Sequence, residues 1–300
     1  MKKKTYLFAL MAMALTLGSC SDNENGIGGE TSKYITVSTS IGNMTRVATD
    51  ANGGQTFEEG DEISVYAWIG APTVAPETRE RVVNNAINKL TNGSWVSTPQ
   101  MLWKNNRDKH YFIGVYPISA ISDLSAGEYT FDVNKQTESD LLVAVNPDGL
   151  SYNADEQQTV PLTFTHVMAK LAVNLTYKNQ WGGIPTVEKV VVGNAAKEAT
   201  INYLTKVVTP STTAKEDFSL PEITENTKYV SVIIPQEDVK QLTIVIGGKN
   251  FVYDNGTPFK LESGKITTVN LEVGRDEIKL GDVKITDWEN GSTFSGEALN

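Results

Sequence analysis

The amino-acid sequence predicts an all-β protein built from antiparallel β-sandwiches. Apolar side chains alternate with polar ones over many short stretches, which is the pattern of a strand with one buried face. Other short runs are continuously apolar, as expected for strands that are buried on both faces. Turn signals rich in glycine and asparagine separate these stretches. Many short strands punctuated in this way are typical of sandwich folds.

The predicted strands are distributed along the whole chain. The period-two positions are, in order, Ile35, Val37, Thr39 and Ile41; Ile63, Val65 and Ala67; Tyr129, Phe131 and Val133; Leu171, Val173, Leu175 and Tyr177; and Val269, Leu271 and Val273. The continuously apolar runs are Leu141–Val145, Val230–Ile234 and Leu242–Ile246. The turn signals are Asn92-Gly93, Pro147-Asp148-Gly149, Gly182-Gly183, Gly247-Gly248, Asn255-Gly256 and Asn290-Gly291.

One segment fits two kinds of secondary structure. Apolar residues between Glu77 and Leu90 lie at the spacing of a helical stripe. The same segment leads into Asn92-Gly93, the strongest two-residue hairpin signal, which is followed by Trp95-Val96. We therefore predict a β-hairpin in this segment rather than a helix.

The length of 300 residues is sufficient for two mid-sized domains, each with its own core. A boundary is predicted after Tyr177, because residues 178–184 contain a glycine pair and little hydrophobic pattern and are followed by Pro185. We therefore expect an N-terminal domain of residues 31–177 and a C-terminal domain of residues 178–300.

The composition argues against nucleic-acid binding and against side-chain chemistry. The 36 acidic residues outnumber the 26 basic ones, for a net charge of −10, whereas a nucleic-acid-binding protein has a basic surface. With one cysteine the chain cannot form an internal disulfide, and with two histidines it has few candidate ligands for zinc and few candidate residues for imidazole catalysis. His110 is predicted to be a loop or strand-edge residue, and His166 a core-edge residue hydrogen-bonded to the backbone. We predict no enzyme, no cofactor and no metal site.

The N-terminus is predicted to be a secretory signal. Lysines precede the apolar stretch Tyr6–Leu17, which is too short to span a bilayer. The stretch leads into Leu-Gly-Ser-Cys, which resembles the lipobox of bacterial lipoproteins and contains Cys20, the only cysteine of the chain. We expect residues 1–19 to be the signal peptide, Cys20 to be acylated and held in a membrane, and residues 20–30 to form a flexible tether.

Several segments, taken in order, resemble the fimbrillin (FimA/Mfa-like) family of Bacteroidota pilus-subunit lipoproteins. These segments are Thr45-Arg46 with Phe57–Ala67, Tyr111–Pro117 with Asp140–Leu142, Val160–Leu171, and Leu261–Lys265 with Ile285–Trp288. The resemblance implies two transthyretin-like antiparallel β-sandwich domains. It also implies a lipid-anchored protein of the cell outer membrane and the fimbrium that acts in cell-surface adhesion.

The resemblance further implies partnership with other pilus subunits by donor-strand exchange. In pilus-forming members a protease cuts in the first loop, the strand before the cut leaves, and a strand of a neighbouring subunit replaces it. Here the removable strand is predicted to span residues 34–42, and the cut to fall between Arg46 and Val47, in a polar loop. The alternative is that Arg46 is a solvated loop residue and that the first strand stays in place.

The C-terminus lacks the long alternation expected of a donor strand. Val283, Ile285 and Trp288 form only a short pattern, and residues 289–300 are polar and rich in glycine. This favours a tip or accessory subunit, which accepts a strand without passing one on. It fits equally a surface lipoprotein that does not polymerise and binds glycans, with Trp181 as the predicted sugar contact.

Overall fold

The computed structural model describes residues 33–42, 56–153, 158–254 and 256–288. Within these ranges the regular elements are nineteen β-strands and one 3-10 turn at Asn179–Trp181. The strands are β1 (Thr36–Ile41), β2 (Glu62–Ile69), β3 (Arg81–Thr91), β4 (Ser94–Thr98), β5 (His110–Tyr116), β6 (Gly127–Thr130), β7 (Leu142–Leu150), β8 (Thr159–His166), β9 (Ala169–Tyr177), β10 (Val187–Ala196), β11 (Glu198–Asn202), β12 (Val207–Pro210), β13 (Lys215–Ser219), β14 (Glu222–Thr224), β15 (Lys228–Ile233), β16 (Gln241–Ile246), β17 (Lys249–Asp254), β18 (Lys265–Val273) and β19 (Ile278–Asp287). The prediction of an all-β fold is confirmed.

Some predicted features fall outside these ranges. The signal peptide 1–19, the tether 20–30 with Cys20, and the bond between Arg46 and Val47 all lie outside the described residues. None of the described segments forms a helix with the length and hydrophobicity that a membrane span requires.

Seven strands form the largest sheet, in the order β1-β8-β7-β5-β2-β3-β4. Neighbouring strands are antiparallel except β1 and β8, which are parallel. Both faces of this sheet are covered, as shown by β2, in which every side chain from Ile63 to Trp68 is buried. Ile63 and Val65 face a first core, whereas Tyr66 and Trp68 face a second one. The first core consists of Ile35, Val37, Ile63, Val65, Ala67, Val83, Ala86, Met101, Trp103, Phe112, Leu142, Ala144, Val160, Leu162 and Phe164.

The remaining strands form three smaller sheets. A five-stranded sheet has the order β14-β15-β9-β18-β19, in which β9 and β18 are parallel. A four-stranded sheet has the order β13-β10-β16-β17, and a three-stranded sheet the order β12-β11-β6. All three contribute buried residues to the second core, among them Leu171, Leu242 and Ile201. The second core therefore joins these sheets to one face of the large sheet.

The hairpin predicted around Asn92-Gly93 is confirmed. β3 ends at Thr91 and β4 begins at Ser94, so two residues join the strands. Both have a positive φ, 50° for Asn92 and 73° for Gly93, as a type I′ turn requires. β3 also pairs with β2 along its length, and this pairing favours the strand over the helical stripe that the same residues fit.

The turn predicted at Pro147-Asp148-Gly149 is wrong, since these residues lie inside β7. Gly149 has a φ of 63°, and its N–H donates to Oδ1 of Asn146 at 3.0 Å. The register between β5 and β7 shifts at this point. The segment is therefore a bulge within a continuing strand.

β6 is shorter than its period-two pattern predicts and ends at Thr130. Phe131 is still buried in the second core. The strand ends because the chain turns at Asp132, whose backbone N–H and C=O both bond to the Ser139 hydroxyl.

The predicted domain boundary after Tyr177 falls at the end of β9. β9 pairs with β15 and β18, which both follow that boundary, whereas β8 lies in the large sheet. The chain thus passes from the large sheet to the five-stranded sheet at residues 167–168. The division into domains 31–177 and 178–300, and their transthyretin-like topology, stays a prediction.

Candidate functional site

β1 is an edge strand that is held mainly by β8. The two strands pair over six residues, from Thr36 opposite Thr159 to Ile41 opposite Phe164. The N–H of Gly42 then donates to the carbonyl of Phe164 at 2.8 Å. On the inner side of β1, Val37 and the preceding Ile35 enter the first core with 6% and 2% of their surface exposed. The predicted amphipathic first strand is confirmed.

The other flank of β1 is paired only near its start. The N–H of Ile35 donates to the carbonyl of Met101 at 2.9 Å, and the N–H of Trp103 donates to the carbonyl of Lys33 at 3.1 Å. Farther along, the indole Nε1–H of Trp95 donates to the hydroxyl of Thr39 at 3.0 Å. From Thr36 onward, no described strand pairs with this flank of β1.

β8 depends on β1 for the ladder of its first half. β7 pairs with β8 only from Phe164 to His166. Among the described strands, β1 is the only partner of Thr159–Thr163. Val160 and Leu162 of this half are fully buried in the first core. If β1 left, the molecule would present unpaired backbone groups beside an apolar slot, which is the geometry that accepts an added strand.

We call this slot the β1 groove; it is lined by β8, Met101, Trp103 and Trp95.

An aromatic cluster closes the end of the β1 groove at which β1 leads into residues 43–55. The ring of Phe57 packs edge-on against Trp95, Tyr116 and Phe164, with centroids 5.3, 5.4 and 5.1 Å away. Gly114 on β5 makes room for this packing, since a Cβ there would lie 2.6 Å from Cζ of Phe164.

A second cluster lies at the C-terminal end of β8. Nδ1 of His166 is 2.8 Å from Oδ1 of Asp140, and its imidazole stacks on the indole of Trp288 with centroids 3.9 Å apart and planes at 7°. Nζ of Lys170 lies 3.9 Å from the centroid of that indole. We call Asp140, His166, Lys170 and Trp288 the Trp288 cluster. The predicted bond of His166 to the backbone is wrong, because its imidazole is paired with a carboxylate.

The sequence alone did not predict the Trp288 cluster. Asp140, His166, Lys170 and Trp288 each lie in a segment on which the family resemblance depends. The sequence shows that these residues are charged or aromatic, but it does not show that they are close in space. Asp140 precedes β7 of the large sheet, whereas Trp288 follows β19 of the five-stranded sheet, and the two are far apart in the chain.

Burial lowers the pKa of Lys170 to about 8, while the nearby Asp140 carboxylate acts in the opposite direction. The unfolded chain keeps this proton up to the ordinary lysine value of 10.5, but the folded chain releases it near pH 8. The buried charge therefore costs stability below pH 8, and this cost disappears as the pH rises from 8 to 10.5.

Replacing Lys170 by methionine should remove this cost. We expect Lys170→Met to be more stable than the wild type by about 2 kcal/mol near neutral pH, with the difference shrinking toward about pH 10. Urea unfolding of both proteins at several pH values measures the difference. Lys265→Met is the control, because Lys265 is paired with Asp287 at the surface and its pKa is raised rather than lowered. A difference for Lys170→Met that does not change with pH would contradict the expectation.

The predicted sugar contact, Trp181, lies in the 3-10 turn and is half-buried against the second core. Its indole N–H donates to the carbonyl of Val273 at 2.9 Å, and its ring meets Phe251 edge-on at 5.9 Å. The guanidinium of Arg275 lies 5.7 Å from the same ring. These contacts give Trp181 a packing role, and its contact with a sugar stays a prediction.

His110, the other histidine, is also a packing residue. It begins β5 and is fully buried, and its Nε2 accepts a hydrogen bond from the N–H of Lys104 at 3.1 Å. Its ring meets Trp103 edge-on at 5.0 Å. Burial lowers the pKa of His110, which keeps the imidazole neutral near pH 7. The predicted loop or edge position is therefore wrong.

β19 is the last described strand and forms the edge of the five-stranded sheet. It pairs with β18 from Ile278 to Asp287, and Val283 and Ile285 remain 39% and 40% exposed. Its end is firmly held, since the N–H of Trp288 donates to the carbonyl of Gly264 at 2.9 Å and the indole is buried. The short apolar pattern at the C-terminus is thus paired with the body of the same chain.

Comparison with known proteins supplies a family match and a set of similar folds. A family model described as fimbrillin-like matches residues 45–288. No curated protein matches the chain. A solved structure of a candidate cell adhesion protein from Bacteroides uniformis ATCC 8492 is similar with a TM-score of 0.62 and 18% identity, over 86% of this chain and 100% of that one.

Two further solved structures are similar in the same way. A candidate cell adhesion protein from Bacteroides ovatus ATCC 8483 gives a TM-score of 0.60 at 18% identity, over 85% of this chain and 98% of that one. A fimbrial protein from Bacteroides vulgatus ATCC 8482 gives 0.53 at 14% identity, over 86% of this chain and 100% of that one. At these identities the structures show a shared fold alone.

Proposed function

This chain belongs to the fimbrillin-like family, whose model matches residues 45–288, and we propose that it is a pilus subunit of the tip or accessory type. The family supports a role in adhesion at the cell surface. In the proposal, the chain is anchored in the outer membrane through acylated Cys20 and is cut between Arg46 and Val47. β1 then leaves, and a strand of another subunit enters the β1 groove.

The observation that carries this proposal is the dependence of β8 on β1. Thr159–Thr163 pair with β1 and with no other described strand, and Val160 and Leu162 are buried beside it. A donor strand restores the hydrogen bonds of this edge and covers the apolar slot in one step. On its outer flank the segment is paired only near its start, so its departure breaks two backbone hydrogen bonds there, those that join Ile35 to Met101 and Lys33 to Trp103.

The last described strand, β19, supports the tip or accessory type. A shaft subunit must release a strand to its neighbour, whereas β19 is paired with β18 along its length and is followed directly by the buried Trp288. We infer that this subunit accepts a strand and retains its own. The proposal includes no catalytic step and no cofactor, and it keeps the two-domain, transthyretin-like organisation as its structural frame.

Limited digestion with trypsin tests the position of the cut. We expect the first cleavage of the folded protein between Arg46 and Val47, because this bond lies in a polar stretch only four residues after Gly42, where the pairing of β1 with β8 ends. Mass spectrometry and N-terminal sequencing identify the products. Arg46→Gln should abolish the cut. Arg79→Gln, which alters an arginine whose side chain is 80% exposed, should leave the pattern unchanged. First cleavage elsewhere, with residues 31–46 intact, would contradict the prediction.

The N-terminus of the protein on its native cells separates this function from the alternative. Strand exchange requires a population that begins at Val47, whereas a glycan-binding lipoprotein that never polymerises would carry only acylated Cys20. Detection of the second form alone, in cells that make pili, would overturn the proposed function.

A further inference from the structure

We propose that the Trp288 cluster positions β8 for strand acceptance, by holding the C-terminal end of β8 in place while the β1 groove is empty. This inference rests on the proposed function, since it concerns the interval between the departure of β1 and the arrival of a donor strand. In that interval β8 is the edge that the donor must find. The cluster would thus act on the donor through β8, without touching the donor itself.

The first step concerns what remains attached to β8 when β1 leaves. Thr159–Thr163 lose their only described strand partner. The ladder that survives consists of the pairs of Phe164, Thr165 and His166 with β7. Because strand ends fray when few hydrogen bonds hold them, the persistence of this edge depends on how firmly those three residues are fixed.

The second step concerns the backbone around the chain crossing between β8 and β9. The N–H of Val167 donates to the carbonyl of Leu141 at 3.0 Å, and the hydroxyl of Ser263 donates to the carbonyl of Val167 at 2.9 Å. The N–H of Gly264 donates to the carbonyl of Met168 at 2.8 Å. The end of β8 is therefore tied to the segment before β7 and to the segment before β18.

The third step concerns the indole that closes this arrangement. The backbone N–H of Trp288 donates to the carbonyl of Gly264, and the indole ring stacks on His166 and faces the ammonium of Lys170. Gly264 approaches so closely that a Cβ there would lie 3.2 Å from the carbonyl oxygen of His166. Loss of the ring would let water reach the pair of Asp140 and His166 and would loosen the residue that ends β8.

The position of the cluster relates it to the groove. His166 is two residues beyond Phe164, which is the last residue of β8 to pair with β1 and also belongs to the first core. Loosening of His166 would therefore spread directly into the surviving part of the ladder. Trp181 offers a comparison, because it is likewise a tryptophan that packs against the second core. Its indole N–H donates to the carbonyl of Val273, and it contacts no residue of β8 among its described contacts.

The first experiment measures strand capture by the protein cut between Arg46 and Val47. β1 is separated from it in denaturant, a fluorescent peptide with the sequence of residues 33–42 is added as the remainder refolds, and binding of the peptide is followed by polarisation. We expect Trp288→Ala to weaken capture at least about tenfold, and Trp181→Ala to change it less than about twofold. Trp288→Phe, which keeps an aromatic ring over His166, should recover most of the capture. Equal capture by Trp288→Ala and Trp181→Ala would overturn the inference.

The second experiment uses the uncut chain and remains decisive if the wild type itself captures no peptide, a result that would count against the proposed function alone. Hydrogen exchange of the amides of residues 163–166 should be at least about tenfold faster in Trp288→Ala than in the wild type or Trp181→Ala. The amides of β16, in the four-stranded sheet, should be unchanged. Unchanged exchange at residues 163–166 would overturn the inference. Equal acceleration in the seven-stranded and the four-stranded sheet would overturn it as well, because it would reveal a general loss of stability.

Discussion

The cleaved protein from which β1 has been removed should be less stable than the intact protein by about 5 kcal/mol or more. Ile35 and Val37 are almost fully buried in the first core, and each contributes about 2 kcal/mol through the surface that it removes from water. The hydrogen bonds that β1 makes with β8 and with Met101 add to this amount. Their loss also leaves Thr159–Thr163 without a described strand partner.

Refolding with and without added peptide measures this effect. The protein is cut between Arg46 and Val47, β1 is separated in denaturant, and residues 47–300 are refolded and unfolded again in urea. An excess of peptide 33–42 should restore the lost stability, because it binds only the folded state. The same peptide with Val37→Asp should not, since the carboxylate would have to enter the first core. A refolded fragment that is as stable without the peptide as with it would show that β1 is not a plug.

Replacing Phe164 by alanine should destabilise the protein by about 3–5 kcal/mol, because the side chain is fully buried and the first core cannot close the cavity completely. The ring also supports Phe57 at a centroid distance of 5.1 Å and fills the space left by Gly114. We therefore expect a second consequence, a faster release of β1 from the cleaved protein, because Phe164 pairs with Ile41 at the end of β1.

A matched variant distinguishes the two consequences. Phe251→Ala removes an almost fully buried phenylalanine from β17, in the four-stranded sheet and the second core. We expect a comparable loss in the free energy of unfolding, measured in urea, but an unchanged rate of β1 release. Equal acceleration of release by both variants would mean that retention of β1 follows global stability and not the local packing of the groove.

Local patterns predicted much of the fold. The period-two stretch beginning at Ile35 gave an amphipathic strand, and Asn92-Gly93 gave a two-residue hairpin, because both depend on neighbours a few residues away. The same reasoning placed a turn at Pro147-Asp148-Gly149, where the structure has a bulge. Its residue types allow either outcome, and pairing of β7 with β5 on both sides of the segment keeps the strand continuous.

The site was predicted only in part. The sequence indicated that the first strand is amphipathic and precedes a polar loop, but it did not indicate which strand holds it. Thr36 and Thr159 are 123 positions apart, and no local pattern pairs them. The parallel direction of β1 and β8, and the short ladder between β8 and β7, are likewise consequences of how the sheet is assembled.

The sequence by itself determined the all-β class, the amphipathic character of the first strand and the segments shared with the fimbrillin-like family, since these depend on residue types and their spacing along the chain. Only the tertiary structure decided that β8 relies on β1 for half its ladder and that Asp140, His166, Lys170 and Trp288 meet at its end. The physical reason is that strand pairing and side-chain stacking depend on distances in space, which the packing of distant segments around two shared cores sets.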